Sequence, residues 1–162
     1  MHESSQVRIQ LITASNKQPS WVAEGYDYYA RRLDKRCPLE LVEVPLARRS
    51  AGGDAARAVE DESRRMLRLT PAGAHLVALA VDGADWSTEQ LAGRLEAWLM
   101  GGAPVCLLVG GPDGLGPDCL IRATERWSLS RLTLPHGLVR VVIAEALYRA
   151  VSLSQGHPYH RA

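Results

Sequence analysis

The stretch Val105–Gly116, VCLLVGGPDGLG, runs five apolar residues directly into a glycine-rich turn. Five apolar side chains without alternation fit a short strand covered on both faces, as in a parallel sheet packed between helices. Glycines at 110, 111, 114 and 116 let backbone amides approach a ligand closely, or simply join strand to helix in little space. Ligands in open α/β sheets bind at the carboxyl ends of strands, which is where this turn falls. The turn lacks the Gly-Lys-Ser/Thr ending of a P-loop and the Gly-x-Gly-x-x-Gly spacing of a dinucleotide turn.

On either side of it the pattern alternates strand and helix. Val7–Thr13 (VRIQLIT) and Leu39–Val44 (LELVEV) alternate apolar and polar residues, and His75–Val81 (HLVALAV) is nearly all apolar. Helices are predicted over 21–35, with Ser20 as N-cap, and over 54–69, where Arg57/Asp61, Glu60/Arg64 and Asp61/Arg65 sit one turn apart. Ser87 and Gln90 form a capping box ahead of the apolar stripe Leu91, Leu95, Trp98 and Leu99, and Gly101-Gly102 ends that helix. A helix is predicted over 117–126, a short strand over 127–129 and a last helix over 135–154. This order implies one α/β domain with a mostly parallel sheet and helices on both faces, residues 1–6 being a flexible extension and 7–162 the domain. The last helix carries Leu138, Val139, Val141, Val142, Ile143, Ala144, Ala146, Leu147, Ala150 and Val151, leaving little polar face. It must be buried on most sides, and a homodimer interface is one way to bury it.

The composition agrees. Of 162 residues, 46% are apolar and 23% charged, with a net charge of +1. A disordered chain would have fewer apolar residues and more net charge, and no apolar run approaches the ~18 residues needed to span a bilayer. Arg8 interrupts the first apolar stretch and no small-residue cleavage site follows, so the expected location is the cytoplasm, away from membranes. Cys37, Cys106 and Cys119 form no C-x-x-C pair and have no histidine at ligand spacing. They read as reduced thiols, and no metal site is expected. A uniformly basic nucleic-acid-binding surface would carry more excess charge, so any RNA must be met by a local patch. Arg31, Arg32, Lys35 and Arg36 form one candidate, although a solvated helix end is the safer reading for them.

Two further segments could carry chemistry. Trp127–His136 (WSLSRLTLPH) mixes hydroxyls with leucines in a non-helical stretch, where apolar walls and free backbone groups would suit a flat ring such as adenine. The tail His157-Pro158-Tyr159-His160-Arg161 gathers donors, a stacking ring and a possible base, unless it is only a solvated end. Glu145 and Arg149, one turn apart on an apolar helix, fit an internal salt bridge. No Gly-x-Ser-x-Gly elbow supports a serine nucleophile.

Leu107–Gly116, Trp127–His136, Leu138–Ala150 and His157–Arg161, in this order and spacing, closely resemble the RlmH (YbeA) family, bacterial large-subunit rRNA pseudouridine methyltransferases of the SPOUT class. Trp21-Val22 and Glu43-Val44-Pro45 fit as well, so the resemblance runs from about Val7 to the end. It implies a parallel α/β sheet with a C-terminal trefoil knot, a homodimer, and S-adenosylmethionine as methyl donor. The implied cofactor contacts are Leu79, Gly110, Leu129, Ser130, Arg131, Leu132, Thr133 and Leu134. The implied product is pseudouridine methylated at N3 in 23S rRNA, within the large subunit or assembled ribosome. In this reading the tail delivers the substrate, one subunit's tail completing its partner's site. Tyr159 stacks on or orients the base, His160 hydrogen-bonds it or accepts a proton, and Arg140, His157 and Arg161 contact RNA. Asp113 stands where a glutamate is common in the family, Ala80 where an aspartate is frequent, and Met1–Gln6 precedes the usual start. The alternatives are a methyltransferase of the same fold acting on tRNA and a non-catalytic ribosome-associated binding protein.

Overall fold

A computed structural model describes residues 6–33, 35–49, 55–156 and 159. Five strands, β1 (Ile9–Ala14), β2 (Leu39–Val44), β3 (His75–Ala84), β4 (Val105–Val109) and β5 (Glu125–Trp127), form one sheet in the order β2-β1-β4-β3-β5. Every pairing is parallel, with Ile9 opposite both Leu39 and Val105, and His75 opposite Val105. The helices are α1 (Ser20–Ala30), α2 (Ala55–Arg68), α3 (Thr88–Gly101), α4 (Pro117–Arg122) and α5 (His136–Ser154).

Strand alternation distributes the core onto two faces. Ile9, Leu11, Val77, Val105, Leu107 and Val109 pack with Tyr26 of α1, Leu95 and Trp98 of α3, and Ile143 and Leu147 of α5. Ile12, Ala14, Leu76, Cys106 and Leu108 pack with Met66 of α2 and Cys119 of α4 on the other face. Helices thus cover both sides, as the unbroken apolar strands require. The chain leaves β3 for α3 on one face and β4 for α4 on the other, so a crevice opens between the carboxyl ends of these two neighbours.

Most expected elements are present, with shifted ends. The capping box forms as read: Ser87 Oγ accepts the Gln90 N–H at 3.1 Å and Gln90 Oε1 accepts the Ser87 N–H at 2.9 Å. Ser20 is the first helical residue of α1 rather than its cap, and Pro19 takes the cap position without a side-chain bond. α1 stops at Ala30, not near residue 35, because the chain must turn there to deliver Pro38 and Leu39 to the sheet. α4 ends at Arg122, where Ala123 turns extended, and the strand read at 127–129 lies at Glu125–Trp127. The Thr124 N–H donates to Leu76 O at 2.8 Å, so pairing with β3 sets this boundary. No helix of the described residues is long and apolar enough to cross a membrane.

Candidate active site

β3 pairs with β5 up to Leu79–Trp127, leaves the sheet, and returns to the same Trp127 at Ala84. The excursion 80–83 stands over the strand ends. A Cβ on Gly83 would lie 2.6 Å from the Trp127 backbone nitrogen, so only glycine lets the returning chain pass. The turn after β4 is as tight: a Cβ on Gly110 would lie 2.3 Å from the Gly114 carbonyl carbon, and Gly114 has φ +82°. A third wall is the non-helical segment 128–134. It is held by Ser128 Oγ donating to Ser130 O at 3.2 Å, and by the Leu132 N–H donating to Ser130 Oγ at 2.9 Å.

These three segments enclose a cleft of about 630 Å³. Its volume and mixed lining suit a ligand of cofactor size. Leu79, Gly110, Leu129, Ser130, Leu132, Thr133 and Leu134 line it, together with Asp82, Leu115, His136 and Val139. Of the expected cofactor contacts, Arg131 alone is outside the lining, its side chain exposed. His136 closes the 127–136 segment singled out above, whereas Val139 was missed because it sits on the first turn of α5, where an apolar stripe gives no hint of a ligand. His136 Nε2 lies 3.0 Å from Thr13 Oγ1 at the end of β1. Burial, reinforced by the nearby Arg140 charge, holds its imidazole below the usual range, so it is neutral at neutral pH.

Of the expected RNA and catalytic residues, the structure describes Tyr159 and Arg140, and neither lines the cleft. His157, His160 and Arg161 lie outside the described residues. Tyr159 is folded back on α5: its hydroxyl donates to Glu145 Oε1 at 3.2 Å and its ring packs at a 59° tilt against Tyr148, centroids 4.7 Å apart. Glu145 and Arg149 form the expected internal pair at 2.7 Å, and the Arg149 guanidinium lies 4.8 Å from the Tyr159 ring centre. Desolvation, with the Tyr29 and Glu145 contacts, raises the Tyr159 phenol above its ordinary range and keeps it protonated. Val139, the last residue of α5 in the cleft lining, is six positions before Glu145, about 9 Å of rise, and Tyr159 is not in the lining, so it stands away from this chain's own cleft.

Arg140 requires a correction. It is 4% exposed, and its guanidinium meets Glu43 at 3.4 Å and Ser15 Oγ at 2.9 Å. A phosphate on the outside cannot reach a group so placed; Arg140 ties α5 to the ends of β1 and β2. Arg32 of the proposed basic patch covers the Tyr28 ring at 3.7 Å, an ordinary helix-end contact. Among the described residues no group of His, Cys, Asp or Glu could hold a metal, and all three cysteines are buried, none in a disulfide.

A second network adjoins the glycine turn. The Glu62 carboxylate, 2% exposed, receives Arg49 at 2.7 Å, and Arg49 Nε donates to Asp113 of the turn at 3.0 Å.

A parallel sheet with a backbone-lined cleft at its carboxyl edge is the framework of a cofactor-using α/β enzyme. The chain belongs to the SPOUT methyltransferase family: the family model described as "Predicted SPOUT methyltransferase" matches residues 7–160. Its relatives include a protein named ribosomal RNA large subunit methyltransferase H from Alkalilimnicola ehrlichii, 57% identical, the match covering 96% of this chain and 100% of that one. A Marinomonas protein of the same name is 53% identical, again over 96% of this chain and 100% of that one. Among solved structures, a probable methyltransferase from Bordetella pertussis has the same fold, with TM-score 0.57 at 16% identity, covering 90% of this chain and 95% of that one.

Proposed function

We propose that the protein transfers the methyl group of S-adenosylmethionine to N3 of a pseudouridine in 23S rRNA of assembled ribosomes, acting in the cytoplasm as a homodimer. The observation that carries this reading is the cleft built by 79–82, 109–115 and 128–134, in a chain with near-full-length relatives named as large-subunit rRNA methyltransferases. The close passage of residues 80–83 over Trp127 fits a C-terminal part threaded into a trefoil knot.

S-adenosylmethionine, when bound, supplies a methyl group on a positively charged sulfur, so the protein's main task is alignment with the attacking nitrogen. The apolar side chains of Leu79, Leu115, Leu134 and Val139 would hold the purine and exclude water, and the backbone of 129–134 would meet its polar edge. The pseudouridine N3 must give up a proton. A phenol held protonated cannot take it, so Tyr159 is assigned to stacking and orienting the base, and His160 to accepting the proton. Since Tyr159 stands away from its own chain's cleft, the tail is assigned to the partner's site. His157 and Arg161 would contact RNA there.

The test is methyl transfer from labelled S-adenosylmethionine to ribosomes from a strain lacking this protein, read by mass spectrometry of the rRNA, with free rRNA and bulk tRNA in parallel. Methylated pseudouridine formed only on assembled ribosomes is the expected result. Label in tRNA would overturn the substrate. Cofactor binding without transfer to any RNA would leave a binding protein.

A further inference from the structure

We propose that Glu62 and Ser63, neighbours on α2, clamp the Gly110–Gly116 turn at its middle and at its far end and set the shape in which it receives its cofactor. The proposal rests on the cleft being the cofactor site; neither residue lines it, so both are positioning residues.

The turn's own bond, from the Gly114 N–H to Gly111 O at 3.0 Å, closes only its middle. Four of its seven residues are glycines, which lose more backbone freedom on ordering than any other residue and offer no side chain to pack. Its anchors come from α2. For the middle of the turn, Glu62 Oε2 accepts the Ala47 N–H at 2.8 Å and Arg49 Nη1 at 2.7 Å, while Oε1 accepts Arg49 Nη2 at 3.3 Å. Arg49, gripped on one edge, donates Nε to Asp113 at 3.0 Å. A Cβ on Gly111 would stand 3.4 Å from Glu62 Oε1, so the turn rests against the carboxylate itself. At the far end Ser63 Oγ accepts the Gly116 N–H at 2.8 Å, and a Cβ on Gly116 would stand 2.7 Å from that oxygen.

Stability alone does not account for an acid here. Glu62 and Ser63 are each 2% exposed, on the face of α2 that buries Ala58, Val59 and Met66. A buried ion pair is often no better than well-packed apolar residues of the same volume. What the carboxylate supplies and an apolar side chain could not is a fixed Arg49, and through it a fixed Asp113.

Glu62→Gln keeps the shape and removes the charge. Measured on the full chain, it is expected to speed amide hydrogen exchange across 111–116 by about tenfold. It should raise the dissociation constant and KM for S-adenosylmethionine by a similar factor, with a smaller fall in kcat. Ser63→Ala should loosen chiefly the Gly116 end. Glu62→Gln combined with Asp113→Asn should be little worse than Glu62→Gln alone, because both act through Arg49. A folded Glu62→Gln protein with wild-type exchange and wild-type cofactor affinity overturns the clamp, as do strictly multiplicative effects in the double variant. If Glu62→Gln does not fold, the exposed Asp113→Asn decides, and unchanged exchange there is equally fatal. If the wild-type protein binds no S-adenosylmethionine, the cofactor reading fails, while the exchange measurements still judge the clamp.

Discussion

The Arg140 guanidinium lies 3.4 Å from the Glu43 carboxylate, joining the first turns of α5 to the end of β2 beside the cleft. Its Nη2 donates to Ser15 Oγ at 2.9 Å, so three elements meet on one side chain. Truncation would remove both contacts and leave Ser15 and Glu43 only the bond that Ser15 Oγ donates to Glu43 at 3.1 Å. Arg140→Ala is expected to cost about 2–3 kcal/mol. Arg140→Lys should recover only part, since an ammonium cannot span both acceptors as a planar fork does. Urea unfolding at fixed protein concentration checks this, the midpoint falling with little change in slope.

Ser87 and Gln90 satisfy two otherwise unpaired N–H groups at the start of α3, on the solvent side. Ser87→Ala should therefore destabilise by about 1 kcal/mol without touching cofactor affinity. A paired unfolding and calorimetric titration reads both.

The His136 imidazole is held below its ordinary pKa of 6.5 by burial and by Arg140. Between its lowered native value and 6.5 the unfolded chain binds more protons than the folded one, so stability rises with pH across that window. The contribution is complete above 6.5 and is lost as the pH falls toward the native value. His136→Gln should flatten this part of the stability–pH profile, and an unchanged slope would contradict the assignment.

Cys106 is buried and its thiol is pushed up to about 11, while burial also raises Cys119. A thiolate is the reactive species, so native protein should resist a disulfide reagent at neutral pH. Denaturant should then release three reactive thiols per chain. Rapid labelling of folded protein would show that the core opens far more readily than its packing implies.

The alternation of strand and helix was readable because apolar runs such as 105–109 have no other stable home than a two-sided sheet. The glycine turn and the 128–134 segment were readable too, since each interrupts that pattern with backbone that must serve something. Arg140 was misjudged because the helix showed its charge and not its acceptor, Glu43, 97 positions away. Glu62 escaped notice for the same reason: among the charges of α2, nothing local distinguishes a solvated carboxylate from one facing Arg49. The three-residue strand 125–127 is too short for a period of its own and exists through its pairing with β3.

The place of β1 between β2 and β4 has a consequence for how the protein is made. Its first partner in sequence, β2, covers one edge, but the other edge waits for β4: Gln10 pairs with Cys106, 96 positions later. Such distant pairing carries a large loop-closure cost and slows folding. During synthesis β1 must therefore keep one edge open until most of the chain has emerged. The rate of folding should follow the arrival of residues 105–109, and a nascent chain cut before them should be held by chaperones.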